Sequence, residues 1–187
     1  MKTLPPKRRC FLINSYETNL SQGTRRGVKI DYVLSFNYTD TSGMYVPKDN
    51  IRFINGSLDD AKIILGIENP DLSKTSEFCE SNIHLFFKNT QRVLYNSSRE
   101  YERWIASLKG VDMHIIGHSL AISDKYILVG LMLGANKVTI YHYNEADRQC
   151  KISNLYQLMG DEIFSKHVEN PYARPYIALS GLDELKK

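Results

Sequence analysis

Residues 111–143 have the sequence VDMHIIGHSLAISDKYILVGLMLGANKVTIYHY, and this stretch decides the fold class. Its two ends, at 111–116 and 137–143, are short and mostly apolar, which predicts two buried strands. The segment between them, at 126–133, has the composition and length of a helix. A strand, a helix and a strand with short connections form a right-handed crossover unit, so we expect the two strands to be parallel.

Apolar segments on the amino-terminal side extend this unit into a larger sheet. Residues 31–36 and 51–54 are rich in β-forming residues and predict two more strands, and another apolar run follows at 62–66. Since the strand cores are nearly all apolar, we expect α/β architecture with a mostly parallel, Rossmann-like three-layer sheet. Helices are predicted from Ser73 or Thr75 to Leu94, at about 98–108, and over most of 145–168 with a break near Gly160.

The length of 187 residues and the ordinary composition, 42% hydrophobic and 24% charged, favour one folded domain and exclude overall disorder. We expect the α/β domain to cover 31–168, between a basic N-terminal arm or remnant at 1–30 and a C-terminal tail at 169–187. The first thirty residues carry seven Lys and Arg against one acid. We favour a solvated arm, while contact with nucleic-acid phosphates stays an open alternative.

The cysteine pattern and the hydropathy bear on the cellular compartment. Cys10, Cys79 and Cys150 are far apart, and their spacing suggests neither a disulfide framework nor a metal site. Free thiols are typical of a reducing compartment. No apolar run approaches the roughly 18 residues of a membrane span, and no signal-peptide pattern is present, so we expect a cytoplasmic protein.

Four of the predicted strands end in small, polar, hydrogen-bonding clusters. In open parallel sheets, ligands bind outside the carboxyl ends of the strands, where glycine lets the backbone approach a ligand closely. A helix that begins near Ser123 would also offer free N–H groups to a phosphate. This edge suits a nucleotide, although the GxGxxG and P-loop signatures are absent. The clusters are Asn37-Tyr38-Thr39, Asn55-Gly56-Ser57, Gly117-His118-Ser119 and His142-Tyr143-Asn144.

Several of these residues have two interpretations from sequence. His118 is either a proton-transfer group or a structural histidine that bonds the backbone. Asp124 is suited to capping the helix, to catalysis, or to both, and Asn37 to capping a turn or contacting a ligand. Ser119 is not expected to be a hydrolase nucleophile, because Ala121 stands where the nucleophile-elbow pattern needs a second glycine.

A set of short motifs resembles the AbiH-type bacteriophage abortive-infection family over about residues 31–165. That family is in turn distantly similar to sirtuin-like NAD-binding domains. The resemblance implies an anti-phage protein that binds or cleaves NAD, with no metal indicated. The motifs occur in the family's order: Ser35-Phe36-Asn37-Tyr38-Thr39, Ile54-Asn55-Gly56-Ser57-Leu58, Ile64-Leu65-Gly66-Ile67, Phe86-Phe87-Lys88 with Gln91-Arg92, and Ile116-Gly117-His118-Ser119-Leu120 with Ser123-Asp124.

The sequence departs from the family pattern in three places, and the two departures that remove ionisable groups predict weak catalysis or none. Nothing in 1–30 matches the glycine-rich strand-helix unit with which the family opens, so a truncated relative is expected. Asn55 stands where the family has a histidine, and Asn cannot accept a proton at neutral pH. Ala121 stands where the family has an aspartate.

The candidate site residues follow from the strand ends and the resemblance together. The catalytic candidates are His118, Asn55 and Asp124. An impaired NAD-cleaving enzyme and a non-enzymatic sensor of a nucleotide or phage component both remain open, and the oligomeric state is not predicted. The ligand-binding candidates are Asn37, Tyr38, Thr39, Gly56, Ser57, Gly117 and Ser119.

Overall fold

A computed structural model describes residues 10–14, 30–40, 46–59, 63–66, 83–94, 103–106 and 108–185. The described chain forms a six-stranded sheet in which every neighbouring pair is parallel. The strands are β1 Cys10–Asn14, β2 Tyr32–Ser35, β3 Ile51–Phe53, β4 Asp112–Ile116, β5 Lys137–His142 and β6 Tyr176–Gly181. The helices are α1 Lys88–Leu94, α2 Lys125–Gly134 and α3 Glu145–His167, with 3₁₀ turns at Lys48–Asn50, Ile83–Phe86, Ile122–Asp124 and Leu182–Leu185.

The strand order is β3-β2-β1-β4-β5-β6. It is the order of doubly wound α/β sheets, in which the direction of winding reverses between the first and the fourth strand. The predicted α/β class and the predicted parallel pairing of β4 with β5 are both confirmed. The reversal places the carboxyl ends of β1 and β4 side by side, with Asn14 opposite Ile116.

Two segments that the sequence placed outside the domain supply strands of the sheet, which corrects both expectations. β1 comes from the predicted basic arm and is a central strand between β2 and β4. β6 comes from the predicted tail, pairs with β5 and carries the fully buried Ile177. Both segments are short, and a short apolar run beside basic residues or after prolines gives little local pattern from which a strand can be predicted.

The core lies on both faces of the sheet, since successive strand residues point to opposite sides. On one face, Leu34 and Ile115 pack with Leu128 of α2 and Leu155 of α3. On the other face, a smaller cluster has the following members: Val33, Val46, Ile51, Ile116 and Tyr141, with Ile30, Phe53 and Leu182 packed against it.

The predicted helices are found where the chain is described. α2 and α3 lie where the sequence predicts them, and α3 is interrupted at Gly160, whose φ of 73° is left-handed. Residues 103–106 are helical, whereas 63–66 form no strand. The expected helix starting at Ser73 or Thr75 is described only from 83 onward, and its start lies outside the described residues. No described helix is long and apolar enough to cross a membrane.

Candidate functional site

The loop after β4 makes a tight turn at the carboxyl edge of the sheet. Gly117 has a φ of 68°, which glycine adopts without strain, and Leu120 has a φ of 60°. The backbone N–H of Leu120 donates to Nδ1 of His118 over 2.8 Å. The histidine therefore closes its own loop, accepting from a backbone N–H group rather than bonding a carbonyl.

His118 is 3% exposed and packs edge-on against the ring of Phe36, with 4.3 Å between the ring centroids. The pKa of His118 is lowered to about 4, mainly by burial; Asp124 opposes this lowering, and the charges of Lys88 and Lys151 add to it. The ring is neutral at pH 7. Because Nδ1 accepts a hydrogen bond, the proton belongs on Nε2, which lies 3.7 Å from an oxygen of Asp124.

Asp124 is 6% exposed and lies between the loop and α1. Its Oδ1 accepts from Nζ of Lys88 over 3.0 Å and lies 3.8 Å from a guanidinium nitrogen of Arg92. Asp124 occupies the N-cap position of α2, as predicted, but its side chain makes no capping hydrogen bond. The carboxylate instead pairs with Lys88 and Arg92. These two cations are four residues apart on α1 and so share one face of the helix.

Asn55, which follows β3, joins the ends of two strands to this cluster. Its side-chain amide donates to the carbonyl of Phe36 over 3.3 Å, and its Oδ1 accepts from Arg92 over 3.4 Å. Both ends of the amide are therefore in use inside the protein. Asn55, Arg92, Asp124 and His118 form one buried polar group, which we call the edge cluster.

The edge cluster brings together the three predicted catalytic residues and Arg92, and Lys88 is bonded to it through Asp124. The sequence analysis had named neither cation as a site residue. Lys88 and Arg92 belong to motifs quoted for the family resemblance, and their four-residue spacing on a predicted helix was the available signal. Gly66 packs closely against the backbone at the start of α1, since a Cβ there would collide with the carbonyl of Phe86.

The predicted ligand-binding residues after β2 lie at the same edge of the sheet. The backbone N–H of Asn37 donates to Oγ of Ser35 over 3.2 Å, so the side chain that caps this turn is that of Ser35, and both alternatives for the Asn37 side chain stay predictions. The hydroxyl of Tyr38 donates to the carbonyl of Ile64 over 3.2 Å, and burial together with Asp124 raises the pKa of this tyrosine. Thr39 is exposed.

The remaining candidates differ in how much of them faces solvent. Gly117 and Ser57 are buried, Gly56 is half-buried with a φ of 79°, and Ser119 is exposed. The carbonyl of Ser119 accepts from the side-chain amide of Asn154 over 2.7 Å, so α3 holds the loop from outside. Nothing in the sequence pattern points to Asn154.

The described residues thus define an α/β protein whose parallel sheet carries a buried polar cluster at its carboxyl edge. The loop of His118 stands beside the point where the strand order reverses, which is where ligands bind in such sheets. The family model described as bacteriophage abortive infection AbiH matches residues 3–143, and the chain belongs to this family. No curated protein and no solved structure matches the chain.

The family assignment confirms the resemblance seen in the motifs, and it reaches further toward the amino terminus. The match begins at residue 3, where the motifs had begun at about 31, and so includes β1. The strand pairing and the family match therefore agree that this segment belongs to the domain.

Proposed function

We propose that this abortive-infection protein binds a nucleotide, with NAD as the first candidate, at the carboxyl edge of its sheet, and that it does not turn the nucleotide over. The observation that carries the proposal is the position of the edge cluster beside the reversal of strand order. The proposal includes the cytoplasmic location expected from the sequence.

The chemistry of this edge supports an anionic ligand. Lys88 and Arg92 bring two positive charges to it, with Asp124 as the carboxylate that they share. α2 begins directly after Asp124, so its free N–H groups and the positive end of its dipole face the same edge. We call the rim of the proposed site, formed by the backbone of Gly117 and the exposed side chain of Ser119, the lip; a phosphate would contact the protein there.

The state of His118 argues against catalysis. A general base needs a free lone pair within reach of the substrate proton. The lone pair of Nδ1 is engaged by Leu120, and Nε2 carries the proton and faces Asp124. Asn55 has no proton to exchange at neutral pH. The edge therefore suits recognition of a ligand better than a reaction with it, as in a sensor that responds to a nucleotide.

The test is the melting temperature of the purified protein with and without NAD. A ligand at about 100 times its Kd adds about 2.7 kcal/mol to the free energy of unfolding, which raises Tm by roughly 5–10 °C for a chain of this size. Ser119→Trp fills the lip without touching the buried cluster and should abolish the rise. The matched control is Ser165→Trp, at an exposed position of α3.

Two results would count against the proposal. If NAD leaves Tm unchanged, the edge does not bind this nucleotide. If Ser119→Trp and Ser165→Trp respond to NAD equally, the nucleotide binds elsewhere.

A further inference from the structure

A pocket of about 240 Å³ lies at the opposite edge of the sheet from His118. Lys137 and Tyr176, two of its lining residues, are the first residues of β5 and β6, so the pocket lies at the amino ends of these strands. It is therefore separate from the edge cluster. The remaining lining residues are Asn136, Pro171 and Arg174.

Two cations of the pocket have no acidic partner among the described residues. Lys137 is exposed, and its Nζ lies over the ring of Tyr176, 5.9 Å from the centroid. Arg174 donates through Nη1 to the carbonyls of Pro171 and Ala173, over 3.4 and 2.8 Å. Its Nε and Nη2 groups make no bond within the described chain and remain for a ligand.

Two carboxylates bond residues that line the pocket. Glu169 accepts from the hydroxyl of Tyr176 over 3.3 Å and from the N–H of Leu179 over 2.8 Å. Asp112 accepts from the side-chain amide of Asn136 over 2.8 Å. Glu169 thus holds Tyr176 and Asp112 holds Asn136, and among the described residues no ion pair joins either carboxylate to Lys137 or Arg174.

An exposed aromatic residue lies two positions before Arg174 in the chain. Tyr172 is 93% exposed and follows Pro171 of the lining. Its backbone is ordered by a turn in which the N–H of Tyr172 donates to Oδ1 of Asn170 over 3.2 Å. Proteins that bind single-stranded nucleic acid combine cations for the phosphates with aromatic rings on which bases stack.

We propose that this pocket binds a phosphate of single-stranded nucleic acid, through Lys137 and Arg174, while a neighbouring base stacks on Tyr172. The volume fits this reading, because pockets for whole small ligands start at about 300 Å³ and this one takes a segment of a polymer. An acidic peptide would use the cations but would leave the exposed ring without a role.

The experiment measures fluorescence anisotropy of a labelled oligothymidylate of about 10 nucleotides, titrated with the full chain at several salt concentrations. Tyr172→Ala should weaken binding by about 5-fold or more, the equivalent of one stacked base. Lys137→Ala and Arg174→Ala should each lower the slope of log K against log salt by about 0.7.

Matched controls separate the pocket from a general effect of charge or aromatic surface. Lys48→Ala removes an exposed cation before β3, on the far side of the sheet, and Tyr126→Ala removes an exposed ring of α2. Neither control should change the affinity. Arg174→Lys keeps the charge, and it should restore the salt slope that Arg174→Ala loses.

The proposal is overturned if the oligonucleotide does not bind, or if its binding is insensitive to salt. Equal losses in the pocket variants and in the controls would also overturn it. If inorganic phosphate or an acidic peptide protects Lys137 from acetylation while the oligonucleotide does not, the pocket serves another anion. Melting temperatures of all variants show whether a loss comes from unfolding.

Discussion

Replacing Asp124 by asparagine tests whether the edge cluster holds the strand ends together. Asp124→Asn keeps the size of the side chain and removes the carboxylate that Lys88 and Arg92 share. The side chains of Asp124 and Lys88 are 7% and 14% exposed, so little solvent is present to replace the lost charge.

The expected magnitude follows from this burial. Removing one partner of a buried ion pair costs about 3–5 kcal/mol, and the partial exposure of Lys88 favours the lower end. A loss of about 3 kcal/mol lowers Tm by roughly 6–12 °C for a chain of this size. Lys88→Met combined with Asp124→Asn should cost less than the sum of the two single changes, by about 1 kcal/mol or more.

The assay is urea denaturation followed by circular dichroism, with the free energy of unfolding taken from the midpoint and the slope. Glu145→Gln is the matched control, because Glu145 forms an exposed ion pair with Arg148, where its side chain is 64% exposed. The control should change the free energy by less than about 0.5 kcal/mol. A loss below about 1 kcal/mol for Asp124→Asn, together with additive behaviour of the double variant, would refute the structural role of the cluster.

Three further predictions concern the pH response, the kink of α3 and the support of the loop. The pKa of His118 falls from 6.5 to about 4 on folding, so the unfolded chain binds the proton first and stability falls, by about 3 kcal/mol, as the pH drops from 6.5 to 4. In urea denaturation at several pH values, His118→Asn should have a flatter profile in this window, and an unchanged profile would contradict the prediction. Gly160→Ala should lower the free energy of unfolding by about 1 kcal/mol because its φ is left-handed, whereas a gain in stability would show that the kink relaxes. Asn154→Ala should cost about 1 kcal/mol and speed amide exchange in the loop of Ser119, and unaltered exchange would exclude this support.

The elements that sequence predicts well are those whose pattern is local. β4, α2 and β5 each show their own period in residues 111–143, and the kink of α3 follows from a single glycine. β1 and β6 are different, because their assignment to the sheet depends on partners far away in the chain. A short apolar run between basic residues or after prolines has no pattern strong enough to reveal such pairing.

The candidate site was also predictable in part: its residues could be named from the sequence, but their roles could not. Polar residues at strand ends are visible in the sequence, and the fold does bring Asn55, His118 and Asp124 to one edge. Their roles depend on distances that no spacing encodes. The bond from Leu120 to Nδ1 sets the tautomer of His118, and the cations of α1 turn Asp124 away from capping. The first depends on the conformation of one loop and the second on the packing of α1 against that loop, and neither is encoded in the residue spacing.

Equilibrium dialysis of the purified protein against NAD, followed by chromatography of both chambers, tests binding without turnover in one measurement. If NAD binds at the edge that contains His118 and Ser119 and is not cleaved, we expect an excess of intact NAD on the protein side and no nicotinamide above the protein-free blank. Ser119→Trp should remove the excess. Equal NAD in both chambers would contradict binding, and nicotinamide that disappears with His118→Ala would contradict the absence of catalysis.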